Sequence, residues 1–271
     1  MRPAVAPIGV RRYGAAGPIV AVLHGGPGAP GEVGPLARAL AGRFRVTEPL
    51  QRRSGGPSST VASQVADLAE VLPPGAALVG WSWGAMLALS FAAAHPGRVR
   101  ALALVGCGTY DETARASYLR AVDERLGEEG RKRAARLRRE LAGAARAGER
   151  DRLLGDLGRL LGGAQAHEPL PEEEGEPLWI DARGHEETWA DAMRLQAEGK
   201  EPAAFAAISC PVLMLHGDQD AHPGPATRDL LRRFVPQLEY CGFPRCGHKP
   251  WAERHARRPF LEGLMEWLAR A

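Results

Sequence analysis

Gly80-Trp81-Ser82-Trp83-Gly84 constrains this chain more than any other stretch. A serine stands between two glycines, directly after the apolar run Ala76-Ala77-Leu78-Val79 and directly before Ala85 to Ala94, a series of strong helix formers. The run reads as a short buried strand, and the stretch after it, apolar nearly all round, as a buried helix. A strand-to-helix turn this tight forces the serine into a strained backbone conformation. Its flanking positions must be small, because the two backbones pass close together. The turn lifts the hydroxyl toward a cleft and aims the N–H of Trp83 at any oxygen that gains negative charge there. A chance match in a chain with 33 glycines would lack the strand and helix on either side.

A serine hydroxyl attacks only when a base can take its proton, and the base needs a third group to fix its tautomer and stabilise its cation. Pro211-Val212-Leu213-Met214-Leu215 reads as a strand buried on both faces and ends in His216-Gly217-Asp218-Gln219-Asp220. Gln237 to Phe243 reads as a last strand, followed by Arg245-Cys246-Gly247-His248. Reactive groups in an open parallel sheet collect beyond the carboxyl ends of strands, which puts Ser82, Asp220 and His248 on one edge. Asp220 is the expected acid, since the turn brings the third residue past Gly217 back over that edge. Asp218 competes, but is expected to cap the turn with its own backbone. Of the eight histidines, His248 follows the last predicted strand and precedes the C-terminal helix. His222, directly after the acid loop, is the alternative base. His24 and His216 each precede a glycine at a strand end and are expected to hold those turns.

A tetrahedral intermediate needs a second oxyanion donor. The strand Ile19-Val20-Ala21-Val22-Leu23 supplies one in the loop that follows it, His24-Gly25-Gly26-Pro27-Gly28. Gly26 is the expected donor and Gly25 the alternative. A phosphate cradle is disfavoured there, because no Gly-Lys-Ser/Thr follows and Pro27 removes an N–H.

Together these stretches resemble the serine α/β-hydrolase superfamily over nearly the whole chain. His24-Gly25-Gly26-Pro27-Gly28 and Ser82-Trp83-Gly84 look specifically like the proline iminopeptidase group, which carries His-Gly-Gly-Pro-Gly and Gly-Gly-Ser-Trp-Gly. Two departures stand out. Trp81 replaces the first inner glycine of the elbow, a position where esterases often carry bulky residues. Where the group has Asp-Gln-Arg-Gly-x-Gly, this chain has Leu50-Gln51-Arg52-Arg53-Ser54-Gly55, keeping the Gln-Arg pair alone.

The 271 residues, 45% hydrophobic and 25% charged, suit a large domain with an insertion. The core strands stop at Leu102-Ala103-Leu104-Val105 and resume at Pro211, and the stretch between reads as helices. The expected layout is a hydrolase core in two parts, 1–109 and 206–271, with a helical cap over 110–205. That cap lies over the reactive edge and would exclude water. Its Trp179 and Trp189 either line the substrate pocket or pack the cap onto the core. Net charge of +3 argues against a nucleic-acid partner, and no apolar run is long enough to span a membrane. Four cysteines make no disulfide framework, and nothing resembles a signal peptide, so a cytoplasmic location is expected. The arginine cluster Arg131 to Arg139, with alanines at helical spacing, reads as a solvated helix face.

The expected fold class is α/β: a three-layer sandwich with a mostly parallel sheet and an inserted helical cap. The expected chemistry is acyl transfer by Ser82, His248 and Asp220, with Trp83 and Gly26 holding the oxyanion and no metal or organic cofactor. The substrate would be a small molecule or a short peptide. An aminopeptidase or amidase needs a cap carboxylate for the substrate's ammonium group. Glu172, Glu173, Glu174, Glu186, Glu187 and Asp191 are the candidates, and Glu187 and Asp191, four apart, share a helix face. The alternative is a carboxylesterase or lactonase for small acyl substrates, favoured by Trp81, which would help form the substrate pocket. A third reading, a hydrolase fold used only for binding, is disfavoured by the complete set of reactive groups.

Overall fold

The computed structural model describes residues 8–55, 58–171 and 179–271. Seven strands form one sheet in the order β1-β3-β2-β4-β5-β6-β7. They are β1 Gly9–Tyr13, β2 Ile19–Leu23, β3 Arg45–Leu50, β4 Ala76–Trp81, β5 Val99–Val105, β6 Val212–Gly217 and β7 Leu238–Phe243. Only β1 runs antiparallel, paired to β3; every other pairing is parallel. The mostly parallel sandwich expected from the sequence is therefore present.

Strand residues alternate between two cores, as a two-residue period requires. Ala21, Leu23, Leu78, Leu102, Leu104, Val212 and Met214 point to one side. There they meet α2 (Val61–Val71) and α3 (Trp83–Ala94). Val20, Val22, Ala77, Val79, Trp81, Ala103, Val105 and Leu215 point to the other. That side is closed by α1 (Gly34–Leu40) and the C-terminal helix α8 (Arg257–Arg270). Helix α7 (Gly224–Leu231) joins β6 to β7.

A helical insertion separates β5 from β6. It holds α4 (Glu112–Gly143), α5 (Ala147–Gln165) and α6 (Ala182–Ala197). Helix α4 bends at Gly127, whose φ of 62° and ψ of −174° leave the helical region. Beyond the bend, α4 and α5 pack as an antiparallel pair around Ala134, Leu137, Leu153 and Leu157. Arg131, Lys132, Arg133, Arg136, Arg138 and Arg139 face solvent, the expected solvated face. Among the described residues, no helix is long and apolar enough to cross a membrane. All four cysteines are free; Cys107 is buried and Cys210 only half-buried.

Candidate active site

Ser82 occupies the junction of β4 and α3 with φ 54° and ψ −117°, a left-handed backbone that a non-glycine residue adopts only at a cost. The flanking glycines explain how so sharp a turn packs. A Cβ on Gly80 would lie 2.2 Å from the carbonyl oxygen of Gly84, and one on Gly84 would lie 2.3 Å from that of Leu23. Backbone, not side chain, fills both spaces. The Ser82 N–H donates to the Val105 carbonyl (2.9 Å), fixing the turn beside the end of β5. Trp83 opens the helix, so its N–H has no intrahelical acceptor.

The end of β5 also seats the imidazole of His248. Gly106 follows Val105 directly, and a Cβ there would stand 2.9 Å from His248 Nδ1. Ser82 and His248, far apart in sequence, are thus both seated against the end of β5. His248 Nδ1–H donates to Asp220 Oδ2 at 2.7 Å, between buried side chains. Because a carboxylate only accepts, this bond selects the tautomer of the neutral ring with its proton on Nδ1, the one whose Nε2 can accept a proton. Asp218, the competing acid, is exposed. Its backbone N–H donates to Phe243, in keeping with a turn role.

Asp220 is served by three histidines. Oδ1 accepts the backbone N–H of His222 at 2.9 Å and approaches its Nδ1 at 3.1 Å. His216 Nε2 lies 3.2 Å from Oδ2 and 3.1 Å from the His222 carbonyl. Burial alone would push this carboxyl up, but the interactions with His248, His216 and His222 outweigh burial and hold it well below the usual carboxylate range. Burial depresses the pKa values of His216 and His222, which favours their neutral forms.

Trp81 was expected in the substrate pocket. Its ring is only 4% exposed and lies on the α8 side of the sheet. It backs His248, with ring centroids 5.2 Å apart and an Nε1–H bond to the His248 carbonyl (3.0 Å). The same ring packs against Gly25, where a Cβ would approach Trp81 to 2.6 Å. Gly25 is buried, whereas Gly26 is exposed with φ 107°. This difference favours Gly26 as the backbone donor in this loop.

The surviving Gln51 has a local reason. It is buried, and its Oε1 accepts the Gly28 N–H at 2.9 Å, holding the far end of the His24–Gly28 loop. Arg52 pairs with Asp67 and Glu70. The sequence contained the Gln-Arg signal without disclosing what it held.

The acidic residues proposed for ammonium recognition are largely committed elsewhere. Glu187 accepts the Ser59 N–H (2.8 Å) and pairs with Arg183 (2.7 Å); these bonds hold its pKa below the usual range. Asp191 accepts the Val61 N–H (2.9 Å) and pairs with Arg194. Glu186 pairs with Arg150 at 2.8 Å. Glu172, Glu173 and Glu174 fall outside the described residues. Trp189 is half-buried, edge-on to Trp83 at 6.3 Å, and packs α6 onto the core. Trp179 is half-buried, and its Nε1 is enclosed without a partner among the described residues.

Asp220, His222 and His248 are the one described cluster compact enough to hold a metal, with ligand atoms within 4.8 Å of one another. The arrangement suits hydrogen bonding better. The two rings are stacked at 4.7 Å and 23°, so their in-plane lone pairs run side by side rather than converging on one ion.

Comparison with known proteins agrees with this fold. A family model described as the alpha/beta hydrolase fold matches residues 18–254. The chain belongs to the alpha/beta hydrolase fold family. It is similar to a pimeloyl-[acyl-carrier protein] methyl ester esterase of Chromobacterium violaceum, 29% identical over 93% of this chain and 94% of the relative. A Nitrosospira multiformis protein of the same description is 25% identical over 87% and 89%. Among solved structures, E-2-(acetamidomethylene)succinate hydrolase superposes with a TM-score of 0.63 at 20% identity, covering 97% and 95% of the two chains. A thermophilic esterase from Thermogutta terrifontis gives 0.58 at 20% identity over 97% and 93%. These structural likenesses show the fold. The superfamily resemblance is thus established, and the chain is an enzyme of the hydrolase type. The named relatives are esterases, which favours the ester-cleaving alternative over the iminopeptidase reading.

Proposed function

We propose that this protein hydrolyses carboxylic esters of small acyl groups, methyl esters among them, through an acyl-enzyme on Ser82. The observation that carries the proposal is the buried 2.7 Å bond from His248 Nδ1 to Asp220, on the sheet edge that bears the strained Ser82. His248 Nε2 takes the Ser82 hydroxyl proton as Oγ bonds to the ester carbonyl carbon. The carbonyl oxygen becomes an oxyanion facing the N–H groups of Trp83 and Gly26, with Gly25 behind the loop. Two such donors together contribute on the order of several kcal/mol to the transition state. Collapse breaks the C–O bond, and the leaving alkoxide takes the proton from His248. Water then gives a proton to His248 and attacks the acyl carbon, releasing the acid and restoring Ser82. Asp220 keeps the imidazolium oriented throughout.

The inserted helices act as a cap over this edge, with Trp179 and Trp189 as its large apolar surfaces. The methyl esterase relatives support an ester substrate. The commitment of Glu187, Asp191 and Glu186 to other partners weighs against ammonium recognition by these groups.

A direct comparison of short-chain methyl and nitrophenyl esters with prolyl anilides, using Ser82→Ala as the blank, tests the reading. Turnover of esters, reduced by at least about a thousandfold in Ser82→Ala, is expected. Anilide turnover without ester turnover would overturn it in favour of the aminopeptidase.

A further inference from the structure

We infer that His222 is a positioning residue for the acid–base pair: it clamps both the Asp220 carboxylate and the His248 ring. This assignment rests on the serine-hydrolase reading and extends it. Three contacts carry it. First, His222 reaches Asp220 Oδ1 through its backbone N–H (2.9 Å) and through its ring Nδ1 (3.1 Å). This leaves Oδ2 to receive His248 at 2.7 Å. The carboxylate therefore cannot swing without losing donors on both oxygens. Second, the His222 carbonyl lies 3.1 Å from His216 Nε2, so the loop that carries it is itself tied to β6. Third, the His222 ring stacks on His248 (4.7 Å, 23°), while Tyr118 of α4 stacks on its other face (4.1 Å, 21°).

The stack extends from the insertion to the base. His248 is bounded by His222 on one face, by Trp81 at 5.2 Å and by the bare Gly106. A ring so enclosed presents Nε2 in one direction, which acyl transfer rewards steeply. The clamp also has an electrostatic side. A ring N–H on Oδ1 draws carboxylate charge away from Oδ2, the oxygen that faces His248. The ionisable groups around His222 are Asp220 and His248, His216 on β6, Tyr118 on α4 and Arg138, which acts on Tyr118 from later in the same helix. Tyr240 of β7 stands beside His216, next to Gly224. The Tyr118 hydroxyl, raised to about 12 chiefly by burial, stays neutral across the working range.

The test follows Ser82 labelling by a fluorophosphonate probe against pH, which needs no knowledge of the natural substrate. His222→Phe keeps a flat ring in the stack but removes the Nδ1–H. Its acid limb should move up by about half a pH unit, because Asp220 then presents more charge to His248. His222→Asn keeps an N–H donor but removes the ring. Its acid limb should stay in place while the labelling rate falls about fivefold, through a looser base. A residue that merely filled space would move no midpoint. Proton NMR of the unmodified protein with assigned ring nitrogens should show protected low-field Nδ1–H signals for both His248 and His222; absence of the His222 signal would overturn the assignment even if a variant failed to fold. Folded variants that label like the parent at every pH would overturn it alone. A parent protein that never labels would overturn the serine reading as well.

Discussion

The two ends of the reactive edge are supported by different parts of the insertion and by different physics. The His24–Gly28 loop, proposed to supply an oxyanion donor, is gripped by the start of α6. The Asp181 N–H donates to the Gly28 carbonyl (2.8 Å), and His185 Nδ1 lies 2.8 Å from the Pro27 carbonyl. The same helix is pinned to the core by carboxylates that accept core hydrogen bonds: Asp181 from the Ser54 N–H and hydroxyl, Glu187 from Ser59 and Asp191 from Val61. The acid–base end is served instead by α4 ahead of its Gly127 bend and by the end of α5; beyond the bend these two helices share their own small apolar cluster as a hairpin. Tyr118 near the start of α4 stacks on His222, and Gln165 at the end of α5 accepts the His248 N–H (3.0 Å). Charge-assisted bonds fix one end; ring stacking from α4 and one backbone bond from α5 steady the other. Directional bonds should make the oxyanion end rigid, whereas the acid–base end inherits whatever mobility the hairpin has.

Leu153→Ala should break the comparison most sharply. Leu153 is one of four buried residues in the hairpin cluster, and its truncation should cost about 3 kcal/mol locally. Hydrogen exchange should speed up along α4 and α5 and leave β4 and α3 protected; uniform acceleration would mean the hairpin is not a separate unit. Asp181→Ala comes next, removing an N-cap and two bonds to Ser54 for about 2 kcal/mol. Its effect should fall on turnover rather than on the acid limb of the pH profile, since the oxyanion loop is what loosens. A shifted acid limb would show the two ends to be coupled.

Acid sharpens the comparison more gently. Burial lowers the pKa values of His24 and His185 at the oxyanion end and of His216 and His222 at the other, all from 6.5. Below pH 6.5 the unfolded chain takes up protons that these rings resist, so stability falls as pH drops toward the native values. Each such ring contributes at most about 1.4 kcal/mol per pH unit. Melting temperatures recorded from pH 7 to 5 should decline, and His185→Gln should flatten the curve. An unchanged or rising melting temperature would contradict neutral buried rings.

The elbow was readable because much of its constraint is local: Gly80 must be small where it meets the Gly84 backbone four residues on, whereas Gly84 must be small against Leu23 of β2, a contact no local pattern specifies. Asp220 and His248 were readable because the ends of parallel strands share one edge. Trp81 shows a signal available but unused: it continues the alternation Ala77, Val79, which points it toward α8 rather than into a cleft. The role of His222 was not legible. It depends on a loop curling so that residue 222 meets residue 220 from above, and no periodicity specifies that. Nor could Glu187 be paired with Ser59, since they are 128 residues apart and meet only after the insertion has docked.

The His248 amide bonds to Gln165 where the chain leaves α5. Glu253, 1% exposed, accepts the backbone N–H groups of His167 (2.8 Å) and Glu168 (2.7 Å), just beyond Gln165. The chain leaving α5 and the chain carrying the imidazole are thus sewn edge to edge. Trimming this enzyme to a minimal scaffold by excising the insertion would strip the seam from one side, leaving an interior carboxylate and an amide to find water. The helices between β5 and β6 thus supply backbone partners to the segment that carries His248, which engineering cannot discard freely.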